Sequence, residues 1–231
     1  MASGKASKII GINYAIHNKL LMKATIFLIA LCIIGFVYVL FFVPDPNSFI
    51  DYYGFSTKNF FERPWISLSS IFLHGSVEHL ISNVLVLLFF GLAVEKGIGP
   101  FKFLALFFMG AFAGDLMSMV FYSPGVVSIG ASAGIFTIVG IGMITHPIDL
   151  SSYPLFVPLP LIIIGSLYIV YNIIGFMTAE GNISYVAHFG GLIVGLIHGF
   201  KSKGLKRGII LIAVGTMIVL AVPYIIKLMF G

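Results

Sequence analysis

Charge is what this chain has least of. Asp, Glu, Lys and Arg together make up 9% of its 231 residues, against about a quarter in a soluble globular domain. With 59% hydrophobic residues, a soluble core of this length could not hide the apolar surface, so the chain reads as an integral membrane protein. Cysteine is almost absent. The single one, Cys32, lies in an apolar run, which excludes an internal disulfide and says nothing firm about redox compartment. Acidic residues are fewer than basic ones, leaving a net charge of +5. The cations sit beside hydrophobic runs and form no basic face, so no nucleic-acid partner is expected. The opening stretch "MASGKASKIIGINYAIHNKLLMK" has no compact apolar core followed by a small-residue cleavage site, so no cleavable signal peptide is expected. There is no long-period repeat and no low-complexity tract.

What is abundant is long apolar runs. A helix needs roughly 20 apolar residues to cross a bilayer. Seven candidates appear, at about 24–43, 76–96, 101–122, 130–146, 158–178, 185–200 and 208–229. The expected fold is therefore all-α, a polytopic membrane helical bundle. Between the first two runs lies the polar and aromatic segment 44–75, which opens at "PDPNS" and contains Arg63 and Trp65. It is too polar to span and is expected at the interface, partly as short helices. Lys5, Lys8, Lys19, Lys23, Lys96, Lys102, Lys201, Lys203, Lys206 and Arg207 all fall on one side if the N-terminus is cytoplasmic, leaving only Lys58, Arg63 and Lys227 outside. The positive-inside rule favours that orientation, most simply in the cell membrane. Spans two, four and six then all begin near the outer surface.

Those three beginnings hold the polar residues. Span two opens with "HGSVEHLISN", carrying His74, His79 and Asn83, and the last two share a helix face. Span four opens with "SIGASAGIFTIVG", carrying Ser132 between Gly130 and Gly134. Span six opens with "AHFGGLIVG", carrying His188. Ionisable groups inside a bilayer are costly and are functional candidates by default. Each has a plainer reading: a serine bonded to its own backbone, a histidine bridging two helices, a histidine–asparagine clamp. Gly191 and Gly195 form a small-xxx-small pair, a packing feature that would carry His188 against its neighbour. If that neighbour is span four, Ser132 and His188 come within hydrogen-bond reach.

The chemistry that uses such a set is acyl transfer. A serine is a poor nucleophile until a base takes its proton, and a neutral histidine can be that base. The developing oxyanion needs donors. The backbone N–H of Ser132, at a helix start, is one, and His79 and the Asn83 amide are the natural side-chain donors. No acidic third member presents itself; Asp115 and Glu180 are the nearest options and neither has an obvious place. The reading is a Ser132–His188 dyad. The polar entrance of His74, Ser76, His79 and Asn83 could hold water for hydrolysis. No HExxH or comparable ligand spacing is present, so neither a metal nor a cofactor is expected.

These motifs resemble those of the rhomboid family of intramembrane serine proteases, over roughly residues 20–200. "HGSVEHLISN" resembles its second-helix pattern H-x4-H-x3-N, "GASAG" its nucleophile motif and "AHFGGLIVG" its sixth-helix pattern A-H-x2-G-x3-G. The 44–75 segment resembles the family's first loop and "GLAVEKGIG" the glutamate-bearing end of its second helix. The resemblance implies Ser132 as nucleophile, His188 as base, and His79 and Asn83 at the oxyanion. It implies single-span membrane proteins as substrates, cut near the outer face of the bilayer. It implies a six-helix core at 24–200, preceded by a cytoplasmic segment 1–23 and followed by a basic loop 201–207 and an added transmembrane helix at 208–231. By the same analogy the 178–186 connection would gate the site. Three positions depart from the family pattern. Trp65 is followed by Ile66 rather than arginine, Ala133 rather than glycine follows the serine, and Phe136 stands where a tyrosine often stacks on the histidine.

Two other functions compete. A catalytically silent relative that binds client helices would usually have lost the serine or the histidine, and both are present. A small transporter or channel would spread ionisable groups through the membrane depth, whereas here they crowd one half.

Overall fold

The computed structural model describes residues 23–149, 160–178 and 184–230. Among them, seven helices have 14 residues or more. They are α1 (Lys23–Phe42), α2 (Val77–Ile98), α3 (Pro100–Phe121), α4 (Ser132–Thr145), α5 (Leu161–Thr178), α6 (Tyr185–Lys203) and α7 (Leu205–Phe230). Each coincides, within a few residues, with one apolar run of the sequence. Five of them, α1, α2, α3, α5 and α7, are long and apolar enough to cross a membrane. The other two differ for separate reasons. At 14 residues, α4 rises only about 21 Å, short of the hydrocarbon thickness. Helix α6 carries His188 and His198 and ends on Lys201 and Lys203.

Local chemistry sets the helix ends. Glu95, in the last turn of α2 and fully buried, accepts hydrogen bonds from the backbone N–H groups of Ala24 and Thr25 (2.9 and 2.8 Å) and from the Thr25 hydroxyl (2.6 Å). An acidic side chain at the N-terminus of α1 meets the positive end of that helix, and the three donors compensate its burial. The contact holds the start of α1 beside the end of α2. Gly99, at φ 81°, closes α2 with its N–H on the Glu95 carbonyl, and Pro100 starts α3 at once. Ser76 caps α2 by accepting from the His79 N–H at 3.1 Å.

The segment between α1 and α2 folds into the short helices Pro46–Tyr53, Thr57–Phe60 and Ile66–Ser69 and a 3-10 turn Ser70–Phe72. It is pinned to the α3–α4 connection by a pair of backbone bonds between Phe55 and Ser128 (2.9 and 2.8 Å) and by the Gly130 N–H donating to the Ser70 carbonyl at 2.8 Å. Arg63 braces this segment, donating to the Tyr52 carbonyl at 2.9 Å with its guanidinium over the Tyr52 ring.

Helix α4 is the axis of the bundle. Every residue from Ala133 to Ile144 is buried, walled by α2, α3, α5, α6 and α7. Between α6 and α7 the break is narrower than a 201–207 loop: α6 continues to Lys203, Gly204 turns at φ 90°, and α7 begins at Leu205. Lysines are good helix formers, so the basic cluster extends two helices rather than separating them. The expected gate at 178–186 falls largely on residues 179–183, outside the described residues, as do Lys5, Lys8, Lys19 and Glu180.

Candidate active site

The seam between α4 and α6 builds the site. A Cβ on Gly191 would run into the Ala133 carbonyl, and one on Gly195 into the Thr137 carbonyl. Only hydrogen at these positions lets the two backbones touch. The Thr137 hydroxyl crosses the seam to donate to the Gly191 carbonyl at 2.7 Å. On the far side of α6, a Cβ on Gly190 would meet the Ala113 carbonyl of α3 at 2.5 Å. Helix α6 is thus wedged between α4 and α3 with little freedom to shift.

This packing sets Ser132 against His188, as the small-residue spacing suggested. Ser132 Oγ lies 2.7 Å from His188 Nε2. The histidine is buried and the serine half-buried. Phe136, one turn along α4 from Ser132, stacks on the imidazole at 4.5 Å with an interplanar angle of 12°. Phenylalanine therefore supplies the ring contact without a hydroxyl. Tyr185 meets the imidazole edge-on at 6.2 Å, and the Tyr168 ring lies edge-on to Phe136 at 6.1 Å.

The other sequence candidates divide. Helix α4 begins at Ser132, and its first intrahelical bond runs from the Ile135 N–H to the Ala131 carbonyl. The Ser132 N–H is therefore among the donors a helix start leaves free. The His79 ring occupies the space that a Gly130 Cβ would fill, 2.7 Å from that position. Gly130 sits at φ 108°, a conformation suited to glycine, so the loop two residues before Ser132 wraps directly over His79. Asn83 is buried and donates from Nδ2 to the His79 carbonyl at 2.8 Å. One amide proton is thereby committed to its own helix. His74 is buried with its ring 5.0 Å from that of His79, and neither of its ring nitrogens has a hydrogen-bond partner among the described residues. Asp115 leaves one carboxylate oxygen buried without a partner among them.

One residue was missed. The reading of a histidine with no third partner is corrected by Asn172 of α5, which is 1% exposed. Its Oδ1 lies 2.7 Å from His188 Nδ1, and its Nδ2 donates to the Tyr185 carbonyl at 3.2 Å. This partner is an amide and not an acid; Asp115 is not in contact with His188 Nδ1, which meets Asn172. The signal was available: one amide in the apolar stretch "LYIVYNIIGF", where polar groups are costly.

A serine hydroxyl on a histidine nitrogen, at the start of a buried helix flanked by apolar spans, is an arrangement for activating an oxygen nucleophile inside a membrane. Residues 62–203 match the family described as the Rhomboid domain. The chain belongs to the rhomboid family. Rhomboid protease GluP of Bacillus subtilis is 38% identical over 133 residues, 57% of this chain and 24% of that protein. RHOMBOID-like protein 4 of Arabidopsis thaliana is 31% identical over 139 residues, 60% of this chain and 34% of the relative. RHOMBOID-like protein 12, mitochondrial, of the same plant is 26% identical over 182 residues, 70% of this chain and 53% of the relative. The matches thus span between a quarter and about half of these relatives' lengths. Rhomboid membership and the apolar helices make this an integral multi-pass membrane protein with an intramembrane-protease-like architecture.

Proposed function

We propose that this rhomboid is an intramembrane serine endopeptidase. The observation that carries the proposal is the 2.7 Å contact between Ser132 Oγ and His188 Nε2. His188 takes the Ser132 proton as Oγ attacks the scissile carbonyl. The tetrahedral oxyanion is met by the Ser132 N–H, by His79 and by the second amide proton of Asn83. His188 then gives its proton to the leaving amine, and the acyl-enzyme forms on Ser132. A water, deprotonated by His188, releases the new carboxyl terminus and restores the serine. His74, Ser76, His79 and Asn83 supply the polar approach for that water. No metal or cofactor enters these steps.

Substrates are single-span membrane proteins, cut near the outer face of the bilayer, where α2, α4 and α6 begin. The distribution of Lys and Arg supports a cytoplasmic N-terminus in the cell membrane, with all seven helices crossing or filling the membrane layer. Residues 24–200 lie in the catalytic core, and α7 (Leu205–Phe230) is a helix added to it.

The test is labelling of purified protein in detergent with a fluorophosphonate probe. Wild type is expected to label, and Ser132→Ala and His188→Ala are expected not to. An unlabelled but folded wild type would leave client binding as the better reading, with Ser132 a packing residue.

A further inference from the structure

From the hydrogen bonds around Asn172 we infer that this residue is a positioning residue for the reaction: it holds His188 in the one tautomer that can deprotonate Ser132. The inference rests on the serine-endopeptidase reading. It assigns a role to α5, the helix that contributes none of the residues invoked there.

The logic is one of donors and acceptors. The Tyr185 carbonyl can only accept, so the Asn172 atom facing it at 3.2 Å is the amide nitrogen. The opposite orientation would set two acceptors face to face at a site where Asn172 is 1% exposed, which is costly for buried polar groups. With Nδ2 so committed, Oδ1 faces His188, and Oδ1 can only accept. His188 Nδ1 must therefore carry the proton of the 2.7 Å contact. A neutral imidazole has one N–H. The lone pair is left on Nε2, which lies 2.7 Å from Ser132 Oγ and receives the serine proton. The order of the chain is Tyr185 carbonyl, Asn172 amide, His188 imidazole, Ser132 hydroxyl.

Ring stacking alone does not do this. Phe136 fixes the plane of the imidazole but is indifferent to which nitrogen bears hydrogen. Without the Asn172 oxygen, His188 would also populate the Nε2–H form, which donates to Ser132 and cannot act as its base. The same oxygen continues to accept from Nδ1–H when His188 becomes doubly protonated during acylation. An amide oxygen in this place is the neutral counterpart of the aspartate in a Ser-His-Asp triad, as in Cys-His-Asn enzymes. The anchor also reaches between helices. Tyr185, whose ring packs where a Gly175 Cβ would stand, holds α6 against α5 beside the amide, so the orientation of Asn172 depends on that interface.

The experiment combines ring-¹⁵N NMR of histidine-labelled protein with fluorophosphonate labelling rates and peptide-substrate kinetics. It uses wild type, Asn172→Leu and Asn172→Asp. Leucine is close in size and has no acceptor; aspartate keeps one. In wild type, His188 should show a protonated Nδ1 and an unprotonated Nε2. Asn172→Leu should lose that pattern and lower kcat by about 100-fold or more, the scale of a general-base contribution, with KM little changed. Asn172→Asp loses the bond to the Tyr185 carbonyl but keeps an acceptor for Nδ1–H, so it should keep the pattern and retain more activity than the leucine variant. A wild-type His188 protonated on Nε2 would overturn the inference even if neither variant folds. So would a folded Asn172→Leu that labels at the wild-type rate. Failure of the underlying reading looks different. Wild type would then not label at all, which removes the role of Asn172 in this chemistry while the NMR pattern still reports the tautomer.

Discussion

Helices α4 and α7 are both strongly apolar, and their surroundings are opposite. All twelve residues from Ala133 to Ile144 of α4 are buried, whereas the most apolar stretch of α7 is 11% buried. In α4 the small residues meet backbone: Ala133 and Thr137 present their carbonyls to Gly191 and Gly195 of α6. In α7 the large side chains point outward, with Met217, Leu220, Tyr224 and Leu228 all exposed on the outside of the bundle. In a bilayer there is no hydrophobic drive to bring helices together, because lipid is as apolar as leucine. What holds α4 in place is close backbone approach and a few hydrogen bonds. The comparison teaches that precision in this protein resides where side chains are smallest, and that apolar character by itself does not tell an enclosed helix from an outward-facing one.

Three substitutions would break or sharpen that contrast. The largest effect is expected at the seam. Gly191→Leu forces a side chain into the Ala133 carbonyl, where nothing flexible can yield. Overpacking costs roughly 1–3 kcal/mol or more, and the separation of α6 from α4 would also part His188 from Ser132. A clear fall in Tm in detergent and loss of fluorophosphonate labelling are expected. Wild-type labelling of this variant would mean that the seam does not set the serine–histidine distance.

A smaller effect is expected at Thr137→Val, which keeps the shape and removes the hydroxyl donated to the Gly191 carbonyl. A net loss of about 1 kcal/mol is typical for such a bond, with more if the carbonyl is left wholly unpaired. Thermal unfolding in detergent measures it, and activity should fall only in proportion to the folded fraction. The smallest effect is expected on α7. Met217→Ala, at an outward position that is 68% exposed, should change stability by less than about 0.5 kcal/mol and leave kcat unchanged. A large loss there would show that α7 packs against something beyond this chain.

The sequence alone determined that the chain lives in a membrane, where the long helices among the described residues lie, and that Ser132, His188, His79 and Asn83 belong to one end of the bundle. These follow from residue type along the chain: scarce charge, apolar runs of helical length, and polar residues at the starts of every second run. Tertiary structure alone decided how those residues meet. That α4 is enclosed on all sides depends on which helices surround it. Its run "SAGIFTIVGIGMIT" is as apolar as its lipid-facing neighbours. Asn83 stands where expected on α2, but its bond to the His79 carbonyl is a matter of rotamer, invisible in spacing. Asn172 shows the limit most clearly. It lies six residues before the end of α5, and only because α5 runs antiparallel to α6 does it arrive beside His188. Antiparallel packing brings the late part of one helix to the early part of the next, so a search along helix starts passes over it.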